Sequence, residues 1–170
     1  MKKGNLLIIL VAMWFASLSC NGGDTGTKPQ ANVDSLTNEI QTLSNNGRQL
    51  EANKKLVADF YQELFGAKNV DAIDKYIGDT YIQHNPALPD GKEALKQGAT
   101  QWFKGVPKEK IDIQHLGADG NFVYIHTKTK MGDKTSSVID IFRIENGKIV
   151  EHWDVIQEVP KTSANPHPMF

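Results

Sequence analysis

The sequence predicts an α+β domain in which helices pack on one face of a curved antiparallel sheet. Two observations indicate this class. Apolar residues recur at helical spacing over residues 50–105, and they alternate with a period of two over residues 111–156. Three helices followed by four strands form two layers around one core. The 170 residues, 39% of them apolar, are enough for a single core of this kind.

The first 19 residues are predicted to be a signal peptide. Lys2 and Lys3 precede a short apolar run over residues 6–18, and small residues follow just before Cys20. The run is too short to span a bilayer of about 30 Å. The layout resembles a bacterial lipoprotein signal, which implies that Cys20 is lipidated and that the protein is anchored at the cell envelope, on the periplasmic or surface side. Secretion without an anchor is the alternative.

Residues 20–48 are predicted to form a flexible tether, because they are rich in Gly, Asn, Thr, Ser and Gln and poor in apolar residues. Four apolar residues within this stretch recur at helical spacing: Val33, Leu36, Ile40 and Leu43. Two interpretations stay open for them, a short helix that docks on the domain or on a partner, and a frayed helix within the tether. The folded domain is predicted over residues 49–160, and a C-terminal tail over residues 161–170.

Three helices are predicted, over residues 50–65, 70–77 and 90–104, and each is followed by a glycine. A short extended segment and a proline-rich loop separate the second helix from the third, over residues 81–89. Four strands follow, over residues 111–116, 122–130, 135–144 and 148–156. The last two strands are joined by Asn146-Gly147, which is a strong signal for a two-residue hairpin turn.

The register of this hairpin predicts which side chains share a face of the sheet. Pairing continued from the turn places Asp140 opposite Trp153, and it places His152 and Asp154 on the other face. A bulge or a one-residue slip would exchange the faces of one strand. In either register Asp140 lies in the middle of a strand among apolar neighbours, where a carboxylate is costly unless it is paired or used in function.

Composition and motifs narrow the range of functions. The chain carries 19 Lys and Arg against 20 Asp and Glu, whereas a nucleic-acid-binding surface is usually basic. The single cysteine provides neither an internal disulfide nor a cysteine-based zinc site. The sequence has no glycine-rich phosphate loop, dinucleotide fingerprint or nucleophile motif, which argues against phosphate and nicotinamide chemistry.

Three stretches of the domain carry a family resemblance: residues 81–86 (Tyr-Ile-Gln-His-Asn-Pro) with Gly91, residues 140–143 with 146–149, and residues 151–157 with Pro160. With them the chain, over about residues 50–160, resembles the SnoaL-like polyketide cyclases of the nuclear transport factor 2-like superfamily. This resemblance implies a cone-shaped α+β fold in which a curved sheet and its helices enclose an apolar pocket, usually in a dimer.

The resemblance also implies a chemistry. Characterised cyclases and isomerases of this type use a pocket carboxylate as acid and base next to a carbonyl group, without a metal or a redox cofactor. It therefore implies a cofactor-independent enzyme of cyclase, isomerase or aldol type that acts on a small apolar carbonyl compound, with Asp140 as the base. Desolvation among aromatic side chains would make such a carboxylate a better base. The alternative is a non-catalytic envelope lipoprotein that binds a hydrophobic ligand or a protein partner.

The candidate site residues follow from this chemistry. Asp140, His84 and His152 are the predicted catalytic residues. The predicted substrate-binding residues are Tyr81, Asn85, Trp102, His126, Trp153 and Asp154. Structural alternatives stay open, such as a salt bridge from Asp140 to Arg143 or Lys128. The histidines and aspartates show no metal-binding spacing such as HExxH, so no metal site is predicted.

Overall fold

The computed structural model describes residues 28–170. The predicted signal peptide over residues 1–19, the lipidation site at Cys20 and the start of the predicted tether lie outside the described residues. None of the helices within residues 28–170 is both long enough and apolar enough to cross a membrane. Residues Glu39–Phe170 form one compact unit, which contains the sheet and the core.

Helices and strands follow one another in the order of an α+β domain, as the sequence predicts. Their bounds are α1 Lys28–Tyr61, continued by one π-helical turn Gln62–Gly66, α2 Ala72–Tyr76, β1 Ile77–Gln83, α3 Lys92–Trp102, β2 Asp112–Asp119, β3 Phe122–Met131, β4 Lys134–Glu145 and β5 Lys148–Glu158. Helix α1 therefore begins well before the predicted start at residue 50. The four apolar residues at helical spacing in the predicted tether all lie in this helix, and more than half of each side chain is exposed.

The sheet has five strands in the order β1-β5-β4-β3-β2. Strands β2 to β5 pair antiparallel, and β1 pairs parallel with β5 at the edge of the sheet. The sequence predicts a helix up to Ile77 and an extended segment only from Tyr81, whereas β1 already begins at Ile77. That segment joins the sheet as a fifth strand, and through Ile82 and Gln83 it pairs with the part of β5 that contains Glu151 and His152.

The core lies between the last turns of α1 and the inner face of the sheet. Phe60 makes edge-to-face contacts with Phe65, Tyr76 and Phe142, with ring centroids 5.8–6.3 Å apart. The inner face contributes fully buried aliphatic side chains, among them Val123, Ile125 and Ile149. The outer face is different, because several of its apolar side chains are exposed: Tyr124, Ile139 and Val155.

The predicted register of the last hairpin is right at the turn and wrong beyond it. Ile144 pairs with Ile149 as predicted, but Arg143 then pairs with Glu151, so Val150 is an extra residue in β5. Beyond this bulge Asp140 lies opposite Asp154, and the predicted pairing of Asp140 with Trp153 is incorrect. The bulge exchanges the faces of β5.

As a result His152 and Asp154 share the inner face with Asp140, and Trp153 lies on the outer face with Ile141. β4 keeps its period-two alternation, but β5 breaks it at the bulge, where Ile149 and His152, three residues apart, are both buried on the inner face. The faces assigned to β5 beyond Val150 therefore differ from the prediction, and those of β4 do not.

We expect Phe60→Ala to lower the free energy of unfolding by about 3–5 kcal/mol, because it removes a buried ring that contacts three other aromatic rings. Urea denaturation followed by circular dichroism measures this change. Phe122→Ala is the matched control, since Phe122 is 36% exposed, and it should cost much less. Equal losses for the two variants would contradict the placement of the core.

Candidate functional site

Three polar side chains come together on the inner face of the sheet: Asp140 from β4, and His152 and Asp154 from β5. Each of the three residues offers one atom that could bind a metal ion, and these three atoms all lie within 4.8 Å of one another. Asp140 is 5% exposed and His152 is 8% exposed, whereas Asp154 is half-buried. We call these three residues the inner cluster.

Asp140 uses both carboxylate oxygens within the core. The Tyr61 hydroxyl at the end of α1 donates a hydrogen bond to Asp140 Oδ2, and His152 Nε2 lies 2.8 Å from Asp140 Oδ1. Burial, with a further contribution from the Asp140 charge, raises the pKa of Tyr61 well above its usual value. Tyr61 is therefore a neutral donor over the whole physiological range. The alternative salt bridge to Arg143 is absent from residues 28–170, because Arg143 pairs with Glu145 and Glu151.

The hydrogen bonds of His152 locate one proton within the cluster. His152 Nδ1 lies 2.8 Å from Gln83 Oε1, and this amide oxygen also accepts a hydrogen bond from the Asn85 backbone N–H at 2.9 Å. A carbonyl oxygen only accepts, so Nδ1 carries a proton. The contact between Nε2 and Asp140 Oδ1 then requires a second proton, carried by the imidazole or by the carboxyl group. Asp140 and His152 thus share one proton.

Asp154 is the carboxylate of the cluster for which only one oxygen accepts a hydrogen bond within residues 28–170. Asn85 Nδ2 donates a hydrogen bond of 2.6 Å to Asp154 Oδ2. Asn85 is held in turn by the loop after β1, because its side-chain oxygen accepts from the Ala87 backbone N–H at 2.9 Å. No hydrogen bond to Asp154 Oδ1 is found within residues 28–170. This half-buried oxygen is available to a ligand.

Tyr81 on β1 adds a neutral hydroxyl beside the cluster. It is 4% exposed, and burial raises its pKa above the usual value, with the charges of Asp140 and Asp154 adding to the shift. Gln83 Nε2 donates a hydrogen bond of 3.3 Å to the Tyr81 hydroxyl. Because the oxygen accepts this bond, its own proton is free to be donated elsewhere.

Four of the predicted site residues lie away from the inner cluster. His84 stacks on Trp153 at the outer face, with ring centroids 4.4 Å apart, and its Nε2 lies 2.9 Å from Glu151 Oε1. This contact and Arg143 hold the pKa of Glu151 below its usual value. Trp102 is 45% exposed at the end of α3.

His126 also belongs to the outer face. It contacts His115 with 3.0 Å between the two Nδ1 atoms, and it lies 2.7 Å from Ser137 Oγ. Phe170, the last residue of the chain, packs near the His126 ring, and Lys128 lies over the Phe170 ring. Lys128 is therefore engaged on the outer face and not with Asp140.

Two residues of the site were not among the candidates, Tyr61 and Gln83. In the sequence Tyr61 fits the apolar pattern on the buried face of the first predicted helix. A buried tyrosine hydroxyl needs a partner, and this requirement could have linked Tyr61 to the unpaired Asp140. Gln83 stands in the 81–86 stretch that carries the resemblance, and it shares a strand face with Tyr81 by period-two alternation.

Two open concavities lie on the surface of residues 28–170, and neither includes Asp140. One is an open groove of about 720 Å³ on the outer face, lined by His115, Tyr124, His126 and Ile139 among others. The other, of about 450 Å³, lies around the start of α3 and includes Asp79. Within the inner cluster Asp140 and His152 are buried, and Asp154 is the most exposed member.

The family model described as SnoaL-like polyketide cyclase matches residues 55–163. No curated protein matches the chain.

Three solved structures illustrate the likeness of fold. An NTF-2-like protein of unknown function from Burkholderia xenovorans is 15% identical, with a TM-score of 0.56, and the match covers 67% of this chain and 89% of that one. A putative ketosteroid isomerase from Kribbella flavida is 13% identical, with a TM-score of 0.56, and the match covers 68% of this chain and 85% of that one. A Mycobacterium tuberculosis LEH-like epoxide hydrolase is 17% identical, with a TM-score of 0.52, and the match covers 64% of this chain and 85% of that one. At these identities the likeness is one of fold, and it confirms the predicted nuclear transport factor 2-like architecture.

We expect Tyr61→Phe to lower the free energy of unfolding by about 1–3 kcal/mol, because it leaves a buried carboxylate oxygen without its donor. Chemical denaturation at neutral pH measures the loss. Tyr124→Phe serves as the control, since Tyr124 is 41% exposed on the outer face, and its stability should stay close to that of the wild type. A Tyr61→Phe variant as stable as the wild type would show that Asp140 does not depend on this hydroxyl.

Proposed function

The chain belongs to the SnoaL-like polyketide cyclase family, and on this premise we propose that it is a cofactor-independent acid–base enzyme acting on a small apolar carbonyl compound. The reaction would be of cyclase, isomerase or aldol type. The observation that carries this proposal is the inner cluster, in which a carboxylate oxygen without a partner lies beside a buried pair that shares one proton. A base and an acid in one cluster are what such a reaction needs.

We assign the role of base to Asp154. The sequence favours Asp140, but both of its oxygens are engaged, by Tyr61 and by His152. Asp154 has one oxygen fixed by Asn85 and the other without a partner in the described structure. It is also the most exposed member of the cluster, so a substrate meets it first. Asp140 and His152 lie deeper in the core than Asp154, and this hydrogen-bonded pair holds one proton between its two side chains.

In the proposed step Asp154 removes a proton from the carbon next to the substrate carbonyl. The electron pair moves to the carbonyl oxygen and forms an enolate, which needs a hydrogen-bond donor nearby. Tyr81 is the candidate donor, because its hydroxyl is neutral and its proton is not used by Gln83. The enolate then either attacks a second carbonyl, whose oxygen takes the proton back from the protonated Asp154, or takes that proton from Asp154 at another carbon; both routes return Asp154 to the carboxylate.

The surroundings of the cluster favour a neutral, apolar substrate. Its walls include the aromatic rings of Tyr61, Tyr81 and Phe142, all of them buried. Within the described part of the chain no lysine or arginine forms an ion pair with Asp140 or Asp154. A negatively charged substrate would therefore meet two carboxylates without a compensating cation.

A non-catalytic binding protein is the second candidate. Two observations favour it: neither of the two open concavities described above includes a residue of the inner cluster, and apolar side chains are exposed on the outer face. For the same outer face we propose a homodimer contact, centred on the neighbouring residues Ile139 and Val155, which are 43% and 66% exposed. For the location we propose the cell envelope with a lipid anchor at Cys20, supported by the leader sequence.

The catalytic proposal is tested by hydrogen–deuterium exchange at the carbon next to the carbonyl, followed by NMR over a panel of small apolar ketones. Such exchange reports proton removal without knowledge of the natural substrate. We expect the wild type to catalyse exchange on at least one ketone and Asp154→Asn to reduce the rate by about a hundredfold, because a positioned base contributes roughly this much.

The control is Asp79→Asn, which removes a fully exposed carboxylate paired with Lys92 and should leave the rate unchanged. Absence of exchange in the wild type on every ketone would favour the binding protein. Exchange that is equally fast in Asp154→Asn would remove Asp154 from the role of base.

The dimer is tested by light scattering coupled to gel filtration. We expect Val155→Lys to convert a dimer to a monomer, because it places a charge in the middle of the proposed apolar contact. Val106→Lys is the control, since Val106 is 42% exposed beyond α3, and it should leave the dimer intact. A wild type that elutes as a monomer would exclude this contact.

A further inference from the structure

The inner cluster has the composition and the geometry of a metal site. His152 Nε2 lies 2.8 Å from Asp140 Oδ1, and an Asp154 oxygen lies within 4.8 Å of both ligand atoms. Atoms bound to one ion at about 2 Å lie within about 4 Å of each other, so a small rotation of the Asp154 carboxylate closes the site. We propose that Asp140, His152 and Asp154 bind one divalent transition-metal ion in place of the proton that Asp140 and His152 share. The ion would also occupy the Asp154 oxygen assigned above as the base, so the metal-bound form is an alternative to the form that carries out the proposed acid–base reaction.

Each of the three ligands is oriented by a residue outside the cluster. The hydroxyl of Tyr61 donates to Asp140 Oδ2, Gln83 Oε1 accepts from His152 Nδ1–H, and Asn85 Nδ2 donates to Asp154 Oδ2. This leaves three ligand atoms for the ion: Asp140 Oδ1, His152 Nε2 and Asp154 Oδ1. Ligands whose second polar atom is fixed by an outer partner are the usual arrangement at metal sites, above all a histidine that donates its other N–H to a carbonyl oxygen.

The charges of the cluster also call for a cation. Two carboxylates face a single imidazole, and Asp140 is 5% exposed. The cations on the neighbouring strands are used elsewhere, because Arg143 pairs with Glu145 and Glu151 on the other side of the sheet. Two negative groups in a poorly solvated place are costly unless a cation or protons compensate them. A divalent ion at the three ligand atoms supplies this compensation.

The ligand types select the class of ion. One imidazole and two carboxylates suit Zn²⁺, Mn²⁺, Fe²⁺ or Co²⁺, whereas Ca²⁺ and Mg²⁺ prefer oxygen ligands alone, and a site for Cu⁺ is built from sulfur ligands. Three protein ligands leave at least one coordination position for water, as in metal sites that bind a further ligand and unlike closed structural sites. Zn²⁺ is therefore the first probe.

The outer face offers a competing pair of histidines. His115 and His126 approach to 3.0 Å between their Nδ1 atoms, but they provide only two ligands and lie in an open groove. This pair gives the experiment its matched control. Loss of Zn²⁺ binding on changing His115 would locate the ion on the outer face, and loss on changing Asp154 would locate it in the inner cluster.

Isothermal titration calorimetry of the full chain, after removal of metal with a chelator, measures Zn²⁺ binding directly. We expect one ion per chain for the wild type, at least a tenfold loss of affinity for Asp154→Asn and no change for His115→Gln. Gln83→Leu removes the acceptor that orients His152, and it should weaken binding ten- to a hundredfold. Circular dichroism shows that each variant is folded. If Asp154→Asn is unfolded, Asn85→Ala takes its place and should also weaken binding.

A wild type that binds no stoichiometric Zn²⁺ overturns the proposal, and so does Asp154→Asn with wild-type affinity or His115→Gln without binding. The exchange assay on ketones is run with excess chelator, which keeps the two proposals apart. Exchange under chelator without Zn²⁺ binding leaves the acid–base function and removes the metal site. Zn²⁺ binding without exchange retains the metal site and removes the acid–base function.

Discussion

The buried carboxylate of Asp140 is the constraint on which the interior depends. A carboxylate in the core is costly unless it is fully hydrogen-bonded, and here its two partners come from different elements, Tyr61 from α1 and His152 from β5. Gln83 extends the network to β1 through His152. The Asp140 side chain on β4 is therefore linked by hydrogen bonds to α1 and β5 directly, and to β1 through His152. No buried polar side-chain atom in residues 28–170 lacks a partner, so the network is complete.

The site itself depends on a single extra residue in β5. Val150 forms the bulge that places His152 and Asp154 on the same face as Asp140. Without it an indole, Trp153, would face the core where the polar residues now meet. The two candidate activities, proton transfer and metal binding, thus have the same structural origin, because both require three polar side chains from two adjacent strands on one face.

The sequence predicts the fold class and the position of Asp140, because helical and strand periodicities are local patterns that survive in the structure. It does not predict the pairing beyond the turn, since the bulge at Val150 shifts the alternation of β5 by one residue, whereas the prediction continues one alternation from the turn along the whole strand. His84 illustrates the same limit. A residue beyond the end of β1 can face either side of the sheet, and only the pairing of β1 with β5 decides between them. Tyr61 is not predicted as a site residue because its ring occupies an apolar position of the helical pattern, and that pattern gives no information on the partner of its hydroxyl.

The end of β1 holds β5 from both sides. Gln83 bonds His152 on the inner face, and the next residue, His84, stacks on Trp153 on the outer face. Successive side chains of an extended chain point in opposite directions, so Gln83 contacts β5 on the inner face and His84 contacts it on the outer face. Contacts made on the two faces of the sheet therefore meet at two adjacent residues of β5, His152 and Trp153, across the thickness of one strand.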